Sequence, residues 1–373
     1  METDVQNINN KGEQPAATGS RGRRRTTVGI KDVAARAGVS VASVSNALNR
    51  PEIVSDELAR RVSAAIKELG FVPSATARSL RTGRVESIGG LFFDLANPFY
   101  ASVARHMSST AADRGYAVTA SSSDQDVFRE EMSLDFLYGR GIRGIAVSTA
   151  RHDVGPLLRL QERGMSLVLV AQGSPHPDLG WIGVDDRRAM SELTEHVIAT
   201  GRRRIGVING PGRAIQHENR MRGVRDAVRR AGLSDLAQPI EIMASAPDMA
   251  GGRAAARTLV ERFPDLDAIM CINDYTATGA LAALQETGRR VPEDVALTGF
   301  DDVDVARVLA VPLTTVRQPV EMIGRRAAEL LIDAVESGTH ILPPTPLDHV
   351  VVVRGSTTGT THNLQTPEGR ELS

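Results

Sequence analysis

Cysteine is all but missing from this chain of 373 residues. A lone Cys271 excludes an intramolecular disulfide framework and fits a reducing compartment. Aromatic residues make up only 3%, so the core must rest on Ala, Val, Leu and Ile. No apolar run approaches the ~18 residues that a membrane-crossing helix needs. Glu2 and Asp4 lie in the first ten residues with no apolar stretch behind them. No secretory leader is visible there, and the cytoplasm is the expected location.

Chemistry-bearing motifs are scarce too. The eight histidines are scattered, with no His-Glu-x-x-His and no Cys/His cluster, so no metal is expected. There is no Gly-x-Ser-x-Gly nucleophile elbow. Gly210-Pro-Gly212 follows a strand-like run, but Gln216 and His217 stand where a dinucleotide loop would need its third glycine. Cys271 ends an apolar run and reads as a packed residue rather than a nucleophile. Neither an enzyme nor a cofactor is expected.

What is present is an ordinary globular composition, 41% hydrophobic and 24% charged, with length for two or three folded units. The net charge of −1 hides an asymmetry. Residues 20–84 hold 13 Lys and Arg against 5 Asp and Glu; residues 85–373 hold 30 against 37. A small basic head precedes a large acidic body, and a polyanion is the natural partner of the head.

Residues 1–26 are polar and charged and should be a disordered tail; residues 358–373 read likewise. Between 27 and 72 the pattern is helical. Ile30, Val33, Ala34 and Ala37 share one face, and Gly38 stops the helix. Ser40 caps a second helix with Val44, Ala47 and Leu48 inward. Ser55 caps a third, whose buried face is Leu58, Val62, Ala65, Ile66 and Leu69. The first two helices and the tight turn at Gly38 read as a helix-turn-helix. The second helix, Val41–Asn49, should expose Val41, Ala42, Ser45, Asn46 and Asn49, short side chains that let a helix sit close in a major groove.

From Glu86 onward, short apolar runs alternate with amphipathic helices, as in βα units. The runs are Ile88–Phe93, Ala117–Ala120, Gly144–Val147, Leu167–Val170, Ile205–Ile208, Ala268–Ile272 and Val295–Thr298, with Trp181–Val184 and His349–Val353 as further candidates. Most run without alternation, as strands buried on both faces of a parallel sheet do. There are too many for one comfortable sheet, so two lobes are expected. Helices are expected to include Phe99–Arg114, Ala189–Ala199, Arg220–Ala231, Gly252–Phe263 and Thr276–Glu286.

Ligands of open parallel sheets bind outside the carboxyl ends of the strands. Those ends carry Asp94 and Asn97, Ser121 to Ser123, Asn209, Asn273 and Asp274, and Asp301 and Asp302, with Phe92, Phe93, Phe99, Tyr100, Phe300 and Trp181 nearby. Carboxylates and amides over aromatic rings suit the vicinal hydroxyls of a sugar. Each residue alone could simply cap a helix; their convergence argues for a site.

The run Ile30-Lys-Asp-Val-Ala through Val44-Ser-Asn-Ala-Leu-Asn49, then Arg60-Arg-Val, Leu69-Gly-Phe-Val-Pro73 and Ala77-Arg-Ser-Leu80, resembles the lactose repressor (LacI/GalR) family of bacterial transcription factors. The resemblance extends from Thr27 to about Gly355. It implies a small all-α helix-turn-helix domain (27–72), a hinge helix and linker (73–84), and a two-lobed α/β body like periplasmic sugar-binding proteins (85–357). The N-lobe would take about 85–186 plus 318–346, and the C-lobe about 187–317 plus 347–357. It implies that Val41, Ala42 and Asn46 read base edges, Asn46 pairing with adenine where many relatives carry Arg. Thr27, Ser40, Ser43, Ser45 and Asn49 are short donors suited to phosphates. Leu80 matches the leucine that wedges into the minor groove, and Ala77 is small enough for two hinge helices to touch.

In the body the resemblance assigns effector contacts to Asp94, Asn97, Phe99, Asp185 (or its neighbour Asp186), Arg220, Asn273, Asp301 and Gln318. It places crossings between the lobes near Asp185–Ala189, Thr315–Pro319 and Pro346–His349. Ala171-Gln172-Gly173 stands where relatives often carry an Asp-Arg pair. The expected protein is a ligand-responsive regulator, a repressor of a pseudo-palindromic DNA operator. It would act as a homodimer answering to a small-molecule effector, a carbohydrate by default. A purine, a nucleoside or a protein corepressor are the alternatives within the family. A soluble sugar-binding receptor is the alternative outside it.

Overall fold

The computed structural model describes residues 28–50, 53–71, 86–212, 214–233 and 238–359. The chain forms two compact units that divide between residues 84 and 85. The first holds α1 (Ile30–Ala37), α2 (Val41–Asn49) and α3 (Asp56–Leu69). Gly38 sits at φ 65°, and its N–H returns to the carbonyls of Ala34 and Ala35. That left-handed turn is open to glycine without strain. Ser40 and Ser55 accept the N–H groups of Ser43 and Leu58, capping α2 and α3 as expected. Val33, Ala34, Ala37, Val44, Val62 and Ala65 form a small core, with Val39 plugging the turn against it.

The second unit begins with β1 (Ser87–Phe92), α4 (Pro98–Asp113), β2 (Ala117–Ser122), α5 (Val127–Gly139), β3 (Gly144–Val147), α6 (Gly155–Glu162), β4 (Ser166–Val170) and β5 (Gly180–Val184). It continues with α7 (Asp186–Ala199), β6 (Ile205–Asn209), α8 (Ile215–Arg230), β7 (Ile240–Met243), α9 (Met249–Arg262), β8 (Ala268–Cys271), α10 (Asp274–Glu286), β9 (Ala296–Thr298) and α11 (Val305–Val308). It closes with β10 (Thr315–Arg317), α12 (Val320–Ser337), β11 (Thr345–Leu347), β12 (Val350–Val352) and α13 (Gly355–Thr358).

Two parallel sheets result. One has the order β11-β5-β4-β3-β1-β2, the other β7-β6-β8-β9. In register, Leu91 lies beside Val147 in the first and Val207 beside Met270 in the second. The centre of each sheet is buried on both faces, which is why its strands read as unbroken apolar runs. Under the first sheet, α12 packs Ile323, Ala327 and Leu331 against Val103 and Met107 of α4. A Cβ at Gly324 would lie 2.5 Å from the Val103 carbonyl, so that contact demands glycine.

The chain crosses between the lobes three times: between β5 and α7, between β10 and α12, and between β11 and β12. β10 and β12 pair antiparallel between the lobes. The first crossing is shorter than the expected Asp185–Ala189, because Asp185 already caps α7 and helix follows at once. Helices α7, α8, α9 and α10 all begin two to five residues before their expected starts. Strand β7 was not among the expected runs. It is an edge strand with half-exposed Ile240 and Ile242 alternating with exposed Glu241 and Met243.

Candidate functional site

In the helix-turn-helix unit, α2 exposes Val41, Ala42 and Asn46, whereas Val44 is fully buried. Ser45 is half-buried, so the expectation of full exposure is corrected there. The expected phosphate donors Ser40 and Ser43 lie together at the start of α2, hydroxyls 2.9 Å apart. Ser40 is also the cap of that helix, so one oxygen would serve both purposes. Arg61 of α3 donates to the carbonyls of Ala37 (2.7 Å) and Gly38 (3.2 Å). It satisfies the open end of α1 and pins the turn, a role that spacing along the sequence could not show. Thr27, Ala77, Leu80 and the side chain of Asn49 lie outside the described residues.

In the body, a narrow cleft opens at the carboxyl ends of the strands of both lobes. Seven of the eight expected effector residues line it: Asp94, Asn97, Phe99, Arg220, Asn273, Asp301 and Gln318. Asp185 does not. It is exposed and spends its carboxylate on the Arg188 N–H at the start of α7. The neighbouring Asp186 is the one that turns inward: Arg220 Nε donates to its Oδ1 at 2.8 Å, with both side chains buried. Asp185 is the cap, with extended backbone, and Asp186 is the first helical residue, so the two side chains leave the chain in different directions.

Arg220 is the centre of the cleft. Its Nη1 donates to the Ile272 carbonyl at 2.5 Å, and its guanidinium lies 3.6 Å from the centre of the Phe300 ring. Burial weighs against its charge, but Asp186 and Asp301 more than offset that and hold the guanidinium ionised. Burial pushes the Asp186 carboxyl up against the pull of Arg220. Asp301 is pushed up to about 7, chiefly by burial, although Arg220 and a hydrogen bond from Gln318 oppose the shift. Its backbone stands at φ 117°, a conformation rare outside glycine.

The cleft has an aromatic wall. Tyr100 meets Phe99 edge-on at 5.1 Å and Phe93 at 5.8 Å between ring centres. Phe92 lies beneath them in the core, and Trp181 packs with the opposite core, away from the cleft. Three other strand-end residues also turn elsewhere. Asn209 donates to Glu241; Asp274 accepts from the Thr315 hydroxyl and the Val303 N–H; Asp302 is clamped by Arg317 and Arg354. Those groups hold loops and crossings together. Asn97 and Asn273 cap α4 and α10 while facing the cleft.

Gln125, Gln216 and His217 line the cleft and were not among the expected site residues. His217 is held neutral, down to about 3, by burial and by the charge of Arg220. Gln216 lies one helical turn before Arg220, a spacing that could have revealed it. Gln125 offered no such signal, since it reaches the cleft only because Asp124 and Gln125 both adopt positive φ, 51° and 59°. Among the described residues no group of three or more His, Cys, Asp and Glu could hold a metal ion. No described helix is long and apolar enough to cross a membrane.

A helix-turn-helix unit followed by a two-lobed body with a polar cleft defines a DNA-binding transcriptional regulator with an effector domain. Residues 29–74 match the family described as bacterial regulatory proteins, lacI family, and residues 194–357 match the periplasmic binding protein-like domain. The HTH-type transcriptional regulator CelR of Thermobifida fusca is 33% identical over 85% of this chain and 94% of its own length. The ribose operon repressor of Escherichia coli (strain K12) is 30% identical over 88% and 99%. A solved CelR–cellobiose complex covers 88% of this chain and 99% of its own at 31% identity, with a TM-score of 0.64. The chain belongs to the LacI family of bacterial transcriptional regulators.

Proposed function

We propose that this regulator is a repressor that binds a pseudo-palindromic operator as a homodimer, one α2 in the major groove of each half-site. Asn46 is the base reader with the most information, because an exposed amide can pair bidentately with adenine. Ser40 and Ser43 contact phosphates and set register. A small polar effector, a sugar, occupies the cleft between the lobes. It shifts DNA affinity by binding one arrangement of the lobes more tightly than the other. The hinge carrying Ala77 and Leu80 conveys that difference to the DNA-binding head.

The observation that carries this reading is the cleft itself, where Arg220, Asn273, Asp301 and Gln318 converge from different elements beside an aromatic wall. Such convergent polar groups in a buried cleft are the mark of a ligand site. Two related proteins carry sugar names, one bound to cellobiose and one repressing a ribose operon. The test is selection of bound sites from random duplex DNA at two salt concentrations, followed by release with candidate sugars. The expected result is an enriched palindrome whose occupancy changes with a sugar. Binding that is only steeply salt-dependent, with no enriched sequence, would overturn it.

A further inference from the structure

The positive charge of the head does not lie on its helices. Residues 27–72 hold six Lys and Arg against five Asp and Glu, so the three-helix unit is almost neutral. Helix α2 has neither Lys nor Arg, and its side chains can offer a phosphate only hydroxyls and amides. Two of the six cations are engaged within the unit. Arg36 Nε donates to Glu68 at 2.8 Å, and Arg61 donates to the carbonyls of Ala37 and Gly38. That leaves Lys31, Arg50, Arg60 and Lys67. A helix N-terminus can also receive a phosphate, but at the start of α1 the Asp32 carboxylate already accepts the Gly29 N–H at 2.8 Å.

Much of the affinity of a protein for DNA comes from cations set against phosphates, and a nearly neutral unit is poorly supplied for it. The missing charge stands immediately upstream. Arg21, Arg23, Arg24 and Arg25 are interrupted only by Gly22, and no Asp or Glu occurs from residue 14 to residue 31. This run also precedes residues 29–74, the part that matches the family. Helix α1 begins at Ile30, and the first helix of a helix-turn-helix crosses the DNA backbone. An extended chain spans about 3.3 Å per residue, so Arg25 can reach about 17 Å from Ile30 and Arg21 about 30 Å. Phosphates recur every ~3.4 Å of helix axis on each strand, so several fall within that reach. All four cations are arginines, whose planar forks bind phosphate through paired N–H groups.

We infer that residues 21–25 are a second DNA-contacting element, a basic arm that binds the phosphate backbone outside the half-site read by α2. The two elements divide the work. Helix α2 supplies sequence information with almost no charge, and the arm supplies affinity with no sequence information. The inference rests on the reading of α2 as the major-groove helix and adds a contact beyond the helix-turn-helix.

The test uses the full chain and two variants. In one, Arg21, Arg23, Arg24 and Arg25 are all replaced by Gln; in the other, all four are replaced by Lys. None of the four belongs to the core of the head, so the helical unit folds in both. Binding to the selected operator and to an unrelated duplex is measured from about 50 to 200 mM salt. The Gln variant should bind both DNAs more weakly by a similar factor, at least about tenfold at the low-salt end. Its plot of log affinity against log salt should be shallower by about 3 for each chain bound, as four lost phosphate contacts require. The Lys variant keeps the charge and should keep most of both. Unchanged affinity and slope in the Gln variant would overturn the inference and leave the arm a solvated tail. A loss confined to the operator, with the slope kept, would also overturn it, by making the arm a base reader. In either case a parent chain that still enriches a palindrome leaves the reading of α2 standing. A parent that enriches none removes both.

Discussion

The guanidinium carbon of Arg220 lies 3.6 Å over the centre of the Phe300 ring, a contact between α8 and the loop after β9. With the guanidinium over that ring, its Nε donates to Asp186 and its Nη1 to the Ile272 carbonyl. One side chain thus ties the start of α7, the end of β8 and the loop after β9 to α8.

Removal of that side chain leaves a buried carboxylate without its partner. Arg220→Ala should cost about 3–5 kcal/mol of stability, the usual penalty for an orphaned buried charge. It should also abolish the effector response. The double variant Arg220→Ala with Asp186→Asn should recover a good part of the stability while remaining unresponsive. Urea denaturation of the three proteins checks this. A single variant that loses less than about 1 kcal/mol would show that the pair is not buried as described.

Asn46 is exposed on α2, so truncating its side chain removes no buried packing. Asn46→Ala should leave folding intact and lower affinity for the selected operator by about 1–3 kcal/mol at one base pair per half-site. Binding to unrelated DNA should change little, because phosphate contacts supply that affinity. Site selection with the variant is the measurement. Equal losses on both DNAs would remove Asn46 from base reading.

Much of this architecture was legible because period and punctuation agree. Gly38, Ser40 and Ser55 punctuate the head, and the apolar faces between them are the ones buried. The central strands announce themselves as unbroken apolar runs. Edge strand β7 did not, since alternation of Ile240 and Ile242 with Glu241 and Met243 is a weaker signal in so short a run. At the cleft, position after a strand was sufficient for Asp94, Asn273 and Asp301. It failed for Asp302 and Asp274, whose partners Arg354 and Thr315 are distant in sequence. Gln125 was hidden for another reason: its placement depends on two consecutive left-handed residues that carry no glycine to mark them.

Helices α9 and α10 meet at a distance that only glycine permits. A Cβ at Gly279 would lie 1.9 Å from the Met249 carbonyl, and one at Gly252 would lie 2.1 Å from the Thr276 carbonyl. Backbone cannot move aside as a flexible side-chain tip can. Gly279→Ala should therefore destabilise by at least about 1–3 kcal/mol, although alanine favours helix by about 1 kcal/mol. Denaturation midpoints of Gly279→Ala and of a control at exposed Gly139, where nothing crowds a Cβ, give the comparison. Equal midpoints would mean that the two helices sit further apart than described.

Asp301 makes stability depend on pH in a direction opposite to an ordinary paired carboxylate. Burial pushes its carboxyl up to about 7 in the folded chain, whereas an unfolded aspartate titrates near about 4. Between those values the folded protein holds the extra proton and the unfolded chain does not. The proton-linked stabilisation is therefore complete below about pH 4 and is lost as pH rises through about 7. The loss cannot exceed about 4 kcal/mol, from three units at 1.36 kcal/mol each. Asp301→Asn keeps the shape, cannot ionise, and should remove this component. Denaturation of both proteins at pH 5 and pH 8 isolates it: the difference in stability between variant and parent should move in the variant's favour at the higher pH. A constant difference across that range would show that Asp301 is ionised throughout, with Arg220 outweighing burial.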